Sequence, residues 1–207
     1  MRILSLLFSI LILTSVSHAK RGPAPGGWYI GFGLGSGVAS ITLDSGAGEK
    51  EKDYDEFFEL VDGGEVDSAR VSVSIEGGIR IAPRYLLGIH VAGINQVGEE
   101  GGLKLSVGHS QALGVLTFFP SRKDLFIRGG LGAATVNVTT DISATNTRIR
   151  LEERGTGIML GAGIALPISP SARFTLTLDF HGAQFDSAPG APTEATFGVV
   201  QLGVTWY

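Results

Sequence analysis

Apolar and polar residues alternate with a period of two along most of the chain beyond residue 26. The clearest stretch spans 173–185, where large apolar side chains occupy every second position: Phe174, Leu176, Leu178 and Phe180. An alternation of this length predicts a β-strand with one apolar face and one polar face. Eight such strands are predicted, over residues 27–42, 70–81, 85–97, 103–119, 125–138, 149–168, 173–185 and 195–207.

The links between the predicted strands alternate in character. Long or acidic links follow the first, third, fifth and seventh strands, whereas short turns at Pro83, Pro120 and Pro170 follow the second, fourth and sixth. An even number of strands, with long links at one end and short turns at the other, is typical of bacterial barrels that cross the outer membrane. We therefore expect both chain termini on the periplasmic side and the long links outside the cell.

The composition favours a membrane barrel over a soluble one. Charged residues make up 17% of the chain, against about 25% in a typical soluble domain. A closed barrel pairs its backbone polar groups between strands and leaves no edge exposed to lipid. The predicted fold is therefore an all-β, closed, antiparallel up-and-down transmembrane barrel. The alternative is a soluble lipocalin-like barrel with its apolar face inward, which we disfavour because its exterior would carry few charges.

The N-terminal segment has the pattern of an export signal. Arg2 precedes an apolar run over residues 3–16, and a small residue, Ala19, lies where a signal peptidase would cleave. The run is shorter than the roughly 20 residues that span a membrane. Residues 1–19 are therefore predicted to be a cleaved signal peptide.

The remainder of the chain divides into a short leader and the barrel. Residues 20–26 are rich in proline and glycine and predict a flexible leader. Residues 27–207 contain no second long apolar run, so we expect no transmembrane helix there. The chain has no cysteine, which excludes a disulfide and a lipoprotein anchor.

The first long link, residues 43–69, is strongly acidic. Residues 43–68 hold ten acidic and two basic side chains, and residues 53–61 have the spacing of a short helix with Asp53 as its N-cap. This loop is predicted to lie outside the cell, either as a solvated surface or as a contact site for a surface partner or for Ca²⁺. Its spacing fits no EF-hand loop, so we predict no metal site and no cofactor. The chain has no basic stripe, which argues against a nucleic-acid partner.

The last strand resembles the terminal strand of a known family. Val200, Leu202, Val204 and Trp206 share one face, and Tyr207 ends the chain. With the first-strand stretch 27–31, this pattern is similar to that of the small bacterial outer-membrane barrels of the OmpA, OmpX and OmpW kind. The resemblance implies an outer-membrane location among lipid and lipopolysaccharide. It also implies an assembly signal in the last strand, at Leu202, Val204, Trp206 and Tyr207, read by the barrel-assembly machinery.

Two sets of site residues are predicted from the alternation. Aromatic residues at the periplasmic strand ends are expected to form a girdle at the lipid interface: Trp28, Tyr85, Phe119, Phe174 and Trp206. Polar residues on the inward faces are expected to form a network in the lumen, because enclosed charges must be paired or solvated: Glu76, Arg80, His90, Lys104, Arg128, Arg173, Asp179, His181 and Gln201.

These residues predict a structural or surface-interaction role for an integral outer-membrane barrel whose lumen is closed by the polar network. Inward-facing glycines leave an alternative open, a narrow pore for small solutes or a ligand-binding barrel. A lipid A-modifying enzyme is a more distant alternative. The neighbours His109 and Ser110 would point to opposite faces of a strand, so they are a poor nucleophile–base pair. No catalytic residue is therefore predicted.

Overall fold

The computed structural model describes residues 27–44, 49–53, 69–100, 103–120, 124–142, 147–185 and 192–207. These residues form nine strands: β1 (Trp28–Asp44), β2 (Glu49–Asp53), β3 (Ala69–Ala82), β4 (Tyr85–Glu100), β5 (Leu103–Phe118), β6 (Leu125–Ile142), β7 (Thr147–Ser169), β8 (Ala172–Phe185) and β9 (Pro192–Trp206). Within the described part of the chain, no helix is long and apolar enough to cross a membrane. The predicted signal peptide and leader, and residues 54–68 of the acidic link, lie outside the described residues.

The sheet closes on itself. Each strand from β3 to β9 pairs in antiparallel fashion with the next, and β1 pairs with β3 on one side and with β9 on the other. The β1–β9 ladder runs from the pair Ile30–Trp206 to the pair Leu43–Pro192. Among the described residues, eight strands therefore form a closed barrel, as the sequence predicts. The ninth, β2, pairs only with the last residues of β1.

The outer wall carries an apolar belt. Large apolar side chains at alternate positions are exposed on seven of the eight strands, from Trp28 to Val38 on β1 and from Ile158 to Ile168 on β7. Ten residues of a strand tilted by about 40° rise roughly 25 Å, which is the height of the apolar band of an outer-membrane barrel. Because the large apolar side chains of this belt face outward, the lipocalin-like alternative, in which that face points inward, is wrong.

Strand β5 is turned the other way from its predicted orientation. The alternation over 103–119 predicts Leu105, Val107, Leu113 and Val115 on the outer face, yet all four side chains are buried in the interior. The outer face of β5 instead carries mainly small or polar residues, from Lys104 and Ser110 to Gly114. The predicted inward position of Lys104 is therefore wrong.

Glycines on the neighbouring strand explain this orientation. A Cβ atom built on Gly130 of β6 would lie 2.6 Å from Cγ2 of Val115, and one built on Gly132 would lie 2.9 Å from Cα of Leu113. An eight-stranded barrel has an interior just wide enough for side chains. The large side chains of β5 therefore occupy the space that the β6 glycines leave free, and the interior becomes close-packed.

We predict opposite effects for two neighbouring substitutions in β5. Leu113→Ala removes a buried side chain and should cost about 2–5 kcal/mol of unfolding free energy. Ala112→Leu adds apolar surface to the lipid-facing wall and should leave the stability unchanged or slightly higher. Denaturant unfolding of the refolded barrel in lipid vesicles measures both, with the outward Leu131→Ala as the lipid-facing control. If Ala112→Leu were the destabilising change, the orientation of β5 described above would be incorrect.

Candidate functional site

An ion-pair network crosses the middle of the barrel interior. Arg128 on β6 donates two hydrogen bonds to Asp179 on β8, at 2.8 Å from Nε to Oδ1 and 2.5 Å from Nη2 to Oδ2. Its third nitrogen donates to Oε2 of Glu76 on β3 at 2.8 Å. Arg128 and Asp179 are buried, whereas the Glu76 side chain keeps 20% of its exposure. One guanidinium thus links three strands that are not neighbours in the sheet.

Glycines on the intervening strands make room for this network. A Cβ atom on Gly31 of β1 would lie 2.8 Å from Cγ of Glu76 and 2.9 Å from Oγ1 of Thr205. A Cβ atom on Gly161 of β7 would collide with the carboxylate of Asp179. The network therefore depends on residues that lack a side chain as much as on the charged residues themselves.

A second set of interior hydrogen bonds lies beside the network. Gln201 on β9 accepts a hydrogen bond from Ser74 and donates one to Ser72, both at 2.8 Å and both across the interior to β3. All three side chains are buried. These bonds satisfy the amide of Gln201 and tie β9 to β3 through the interior, across the intervening strand β1.

Three histidines and a glutamine occupy the interior on the extracellular side of this network. His181 stacks on Phe197 with ring centroids 4.1 Å apart, and His109 packs edge-on against the same ring at 4.7 Å. Gln111 lies between them, with Oε1 3.1 Å from Nδ1 of His181 and Nε2 3.3 Å from Nε2 of His109. His90 lies 3.7 Å from Glu76, measured from Nδ1 to Oε2.

Several of these buried nitrogens have no hydrogen-bond partner among the described residues. They are both ring nitrogens of His90, Nδ1 of His109 and Nε2 of His181. The alternation predicts His90 and His181 as inward but places His109 and Gln111 on the outer face. His109 and Gln111 interrupt the apolar run of β5. This interruption is the signal in the sequence that favours an inward position for both residues.

The remaining predicted polar residues lie nearer the periplasmic end or outside. Arg80 is half-buried at the end of β3. Arg173 is also half-buried, and its Nη1 lies 3.4 Å from Oδ1 of Asp124 and 3.2 Å from the carbonyl oxygen of Ala165. Lys104 is exposed on the outer wall.

The predicted aromatic girdle needs one correction. Trp28 is 81% exposed, and Trp206 packs edge-on against Phe32 on the outer wall, with ring centroids 6.0 Å apart. Tyr85 and Phe174 are also exposed. Phe119 does not belong to this set, because its ring packs against the buried Phe126 at 5.7 Å.

Phe118 takes the place predicted for Phe119. It stacks on Tyr85 with ring centroids 4.9 Å apart, and this exchange follows from the reversed orientation of β5. Tyr207, the last residue of the predicted assembly signal, faces the interior: its ring lies 6.3 Å from that of Tyr29 and 5.8 Å from the guanidinium carbon of Arg173. The assembly signal itself stays a prediction.

Little empty space remains around the ion-pair network. Two cavities border Arg128 and Glu76, with volumes of about 20 Å³ and about 10 Å³. A cavity needs roughly 10–15 Å³ to hold one water molecule. Within the described ranges, no group of three histidines or acidic residues is placed to hold a metal ion. His109 is buried inside while Ser110 is exposed on the outer wall, so these two side chains do not meet.

A row of arginines lies on the outer face of β7 at the extracellular end. Arg148 forms a bidentate ion pair with Asp141 on β6. Arg150 and Arg154 both bind Glu152, at 2.9 and 3.0 Å. The hydrogen bond from Arg148 lowers the pKa of the Asp141 carboxyl below its ordinary value. Asp141 and Arg148 therefore remain an ion pair in mildly acidic solution.

No protein-family model matches the chain, and no curated protein matches it. Solved structures do match in fold. Ail, the attachment invasion locus protein of Yersinia pestis, solved in complex with the heparin analogue sucrose octasulfate, superposes with a TM-score of 0.52 at 12% identity, covering 88% of this chain and 99% of Ail. Neisserial surface protein A, NspA, superposes with a TM-score of 0.52 at 12% identity, covering 89% of this chain and 99% of NspA.

By fold, the chain is a small eight-stranded outer-membrane β-barrel of the OmpA/OmpX-like type. At such low identity the likeness concerns the fold alone and transfers no activity. Together with the apolar belt of the outer wall, the fold assigns this barrel to the outer membrane.

We predict that Asp179→Asn strongly destabilises the barrel. Asp179 is fully buried, and removing one partner of a buried ion pair typically costs about 3–5 kcal/mol because the other charge is left uncompensated. Glu76→Gln should cost less, since Glu76 is partly exposed and Arg128 keeps its bidentate partner.

Thermal unfolding of the refolded barrel, followed as the folded fraction on an unheated gel, measures both changes. The control is Arg148→Gln, which breaks a bidentate pair of the same chemistry at an exposed position and should leave the transition unchanged. Equal losses for Asp179→Asn and Arg148→Gln would contradict a structural role for the interior network.

Proposed function

We propose that this protein is a structural outer-membrane barrel with a closed interior, whose interactions take place at its extracellular surface. The observation that supports this best is the Arg128 guanidinium, which binds two carboxylates from opposite parts of the interior wall. A charge fixed in this way lies where a solute would have to pass. The interior therefore works as a packed core that holds eight strands together.

The inward glycines support a closed interior rather than a path for small solutes. The alternative of a narrow pore assumes that glycines leave the lumen empty. Instead the Tyr29 side chain covers both Gly78 and Gly88, and the ring of Phe126 covers Gly163. These inward positions without a side chain are covered by large neighbours, which fill the interior volume from the adjacent strands.

An apolar cluster closes the extracellular half. The buried side chains there belong to six different strands: Ile41, Ile94, Val107, Val136, Phe185 and Phe197. Hydrophobic constrictions block ions because water leaves them readily. An ion that entered from outside would meet this cluster before it reached the charged network.

A narrow water-filled path is the second candidate. It is favoured by the histidine nitrogens without partners and by the cavity of about 20 Å³, which is large enough for a water molecule. Isolated waters would satisfy these groups equally well, and the apolar cluster separates them from the extracellular end. We therefore rank closure first.

We expect no conductance steps above background when the purified protein is inserted in planar lipid bilayers in concentrated potassium chloride. The double variant Phe126→Ala with Arg128→Ala removes two interior side chains and should produce brief openings. The control Phe180→Ala removes an aromatic ring from the lipid-facing wall and should stay silent. Steady openings of the unaltered protein would contradict closure and favour the pore.

The surface part of the proposal concerns the acidic link. The pairing of β2 with residues 40–44 of β1 extends the barrel wall beyond the neighbouring β3. The acidic residues 54–68 follow directly in the sequence and lie outside the described residues. We propose that this loop contacts a partner at the cell surface, while lipid and lipopolysaccharide surround the barrel and the assembly machinery inserts it.

Replacing residues 54–68 by a short glycine–serine linker should leave the barrel folded, because the closing ladders lie elsewhere. Adhesion of cells displaying the altered barrel to mucin, matrix proteins and a polycationic surface should fall below that of cells displaying the intact barrel. Equal adhesion to every surface would remove the loop from the proposed function, while leaving the structural role intact.

A further inference from the structure

The outer wall of the barrel changes in polarity from β3 to β7 along one row of paired residues. Directly paired residues on five successive strands run in the order Val73, Gly93, Ser110, Thr135 and Arg154. Val73 lies in the apolar belt, whereas Arg154 lies four residues beyond Ile158, the extracellular limit of the belt on β7. The wall therefore changes from apolar to cationic across one face of the barrel.

A groove of about 620 Å³ follows this face. One side of the groove is apolar: Val71, Val73, Ile75 and Val91. The other side carries hydroxyl and amide groups: Asn95, Ser106, Ser110, Asn137 and Thr139. The groove exists because β5 turns its small residues outward and its large residues inward. It can therefore accommodate a molecule that is apolar on one side and rich in hydroxyl groups on the other.

The arginine row on β7 continues the polar side of this groove. Nη2 of Arg150 donates a hydrogen bond to Oδ1 of Asn137 at 3.2 Å, so the two features are in contact. The Arg148, Arg150 and Arg154 side chains are 71%, 61% and 81% exposed. These three exposed guanidinium groups share two carboxylates, those of Asp141 and Glu152, which leaves one positive charge on this face.

The height of the arginine row indicates which anion it meets. Taking about 2.5 Å of height per residue of tilted strand, Arg154, Arg150 and Arg148 lie roughly 10, 20 and 25 Å beyond the apolar belt. The headgroup layer of a phospholipid leaflet is only about 5–8 Å thick. A phospholipid phosphate could thus approach Arg154 at most. The upper arginines require a membrane anion that extends much farther from the hydrocarbon.

We propose that the groove and the arginine row together bind the phosphorylated sugar headgroup of an outer-leaflet glycolipid, that is, lipopolysaccharide. An acyl chain lies along the valines, sugar hydroxyls meet the serine, asparagine and threonine side chains, and phosphates bind the arginines. Guanidinium groups bind phosphate well because of their paired N–H donors. This site gives the surface role a membrane ligand, and it does not depend on whether the interior conducts.

Titration of the detergent-solubilised barrel with fluorescent lipopolysaccharide in mixed micelles tests the arginines. The variant Arg148→Gln, Arg150→Gln, Arg154→Gln should bind about tenfold to hundredfold more weakly, given roughly fivefold per basic residue at an anionic surface. The matched control, Arg84→Gln, Arg122→Gln, Lys123→Gln, removes the same charge from the short turns that the sequence predicts at Pro83 and Pro120, and it should bind within about twofold of the unaltered protein. Dephosphorylated lipopolysaccharide should show no difference between the two variants.

The apolar side of the groove is tested separately by Val73→Phe, which narrows it without changing charge. This variant should weaken binding of intact lipopolysaccharide and leave binding of the deacylated, phosphorylated sugar unchanged. A gel shift between unheated and boiled samples verifies that each variant is folded.

Three results would overturn the proposal. One is binding of lipopolysaccharide by the triple-glutamine variant as tightly as by the unaltered protein. Another is equally good competition by phosphatidylglycerol micelles, which would mean that the arginines sense only membrane charge. The third is equally tight, arginine-dependent binding of a soluble sulfated polysaccharide, which would make the ligand a soluble polyanion. None of these binding measurements depends on whether the interior conducts ions. A negative result would therefore refute the glycolipid site and leave the closed-barrel function untouched.

Discussion

Closure of β1 onto β9 is the interaction on which the rest of the structure depends. Lipid offers no hydrogen-bond partners, so each backbone polar group within the membrane needs a partner in the next strand. The β1–β9 ladder extends over most of β1 and satisfies the two strands that would otherwise be edges. This closure separates the two faces of the sheet. The apolar belt faces lipid, and the ion-pair network, the glycines and a packed apolar cluster face a narrow interior.

The narrow interior then imposes its own packing. Eight strands enclose a space that side chains can just fill, so large residues on one strand must face glycines on the next. The pairs formed by Val115 with Gly130 and by Phe126 with Gly163 follow this rule. So does the ion-pair network, whose Asp179 fits only beside Gly161. The reversal of β5 is a further consequence: its large side chains fill the interior, and its small outward residues form the groove that we assign to a glycolipid.

The sequence predicts the class, the closure and the outward face of seven strands, because apolar alternation there is unambiguous. It fails on β5, where both faces are mixed and His109 and Gln111 interrupt the apolar run. The glycines on β6 decide the orientation of β5, and the alternation within β5 alone contains no information about its neighbour. Glu76, Arg128 and Asp179 are identified as inward from the alternation. Their mutual binding is not predictable, because β3, β6 and β8 meet only across the closed interior.

Hydrogen exchange of the backbone amides in lipid nanodiscs tests the closure most directly. If β1 and β9 are paired, the amides between Ile30 and Ser40 that face β9 should exchange as slowly as those of the central β4–β5 ladder, because both sets require opening of the whole sheet. Fast exchange along β1 and β9, with slow exchange confined to the other strands, would mean that the sheet is open at this seam. That result would contradict the account of the fold, of the packed interior and of the lipid-facing wall.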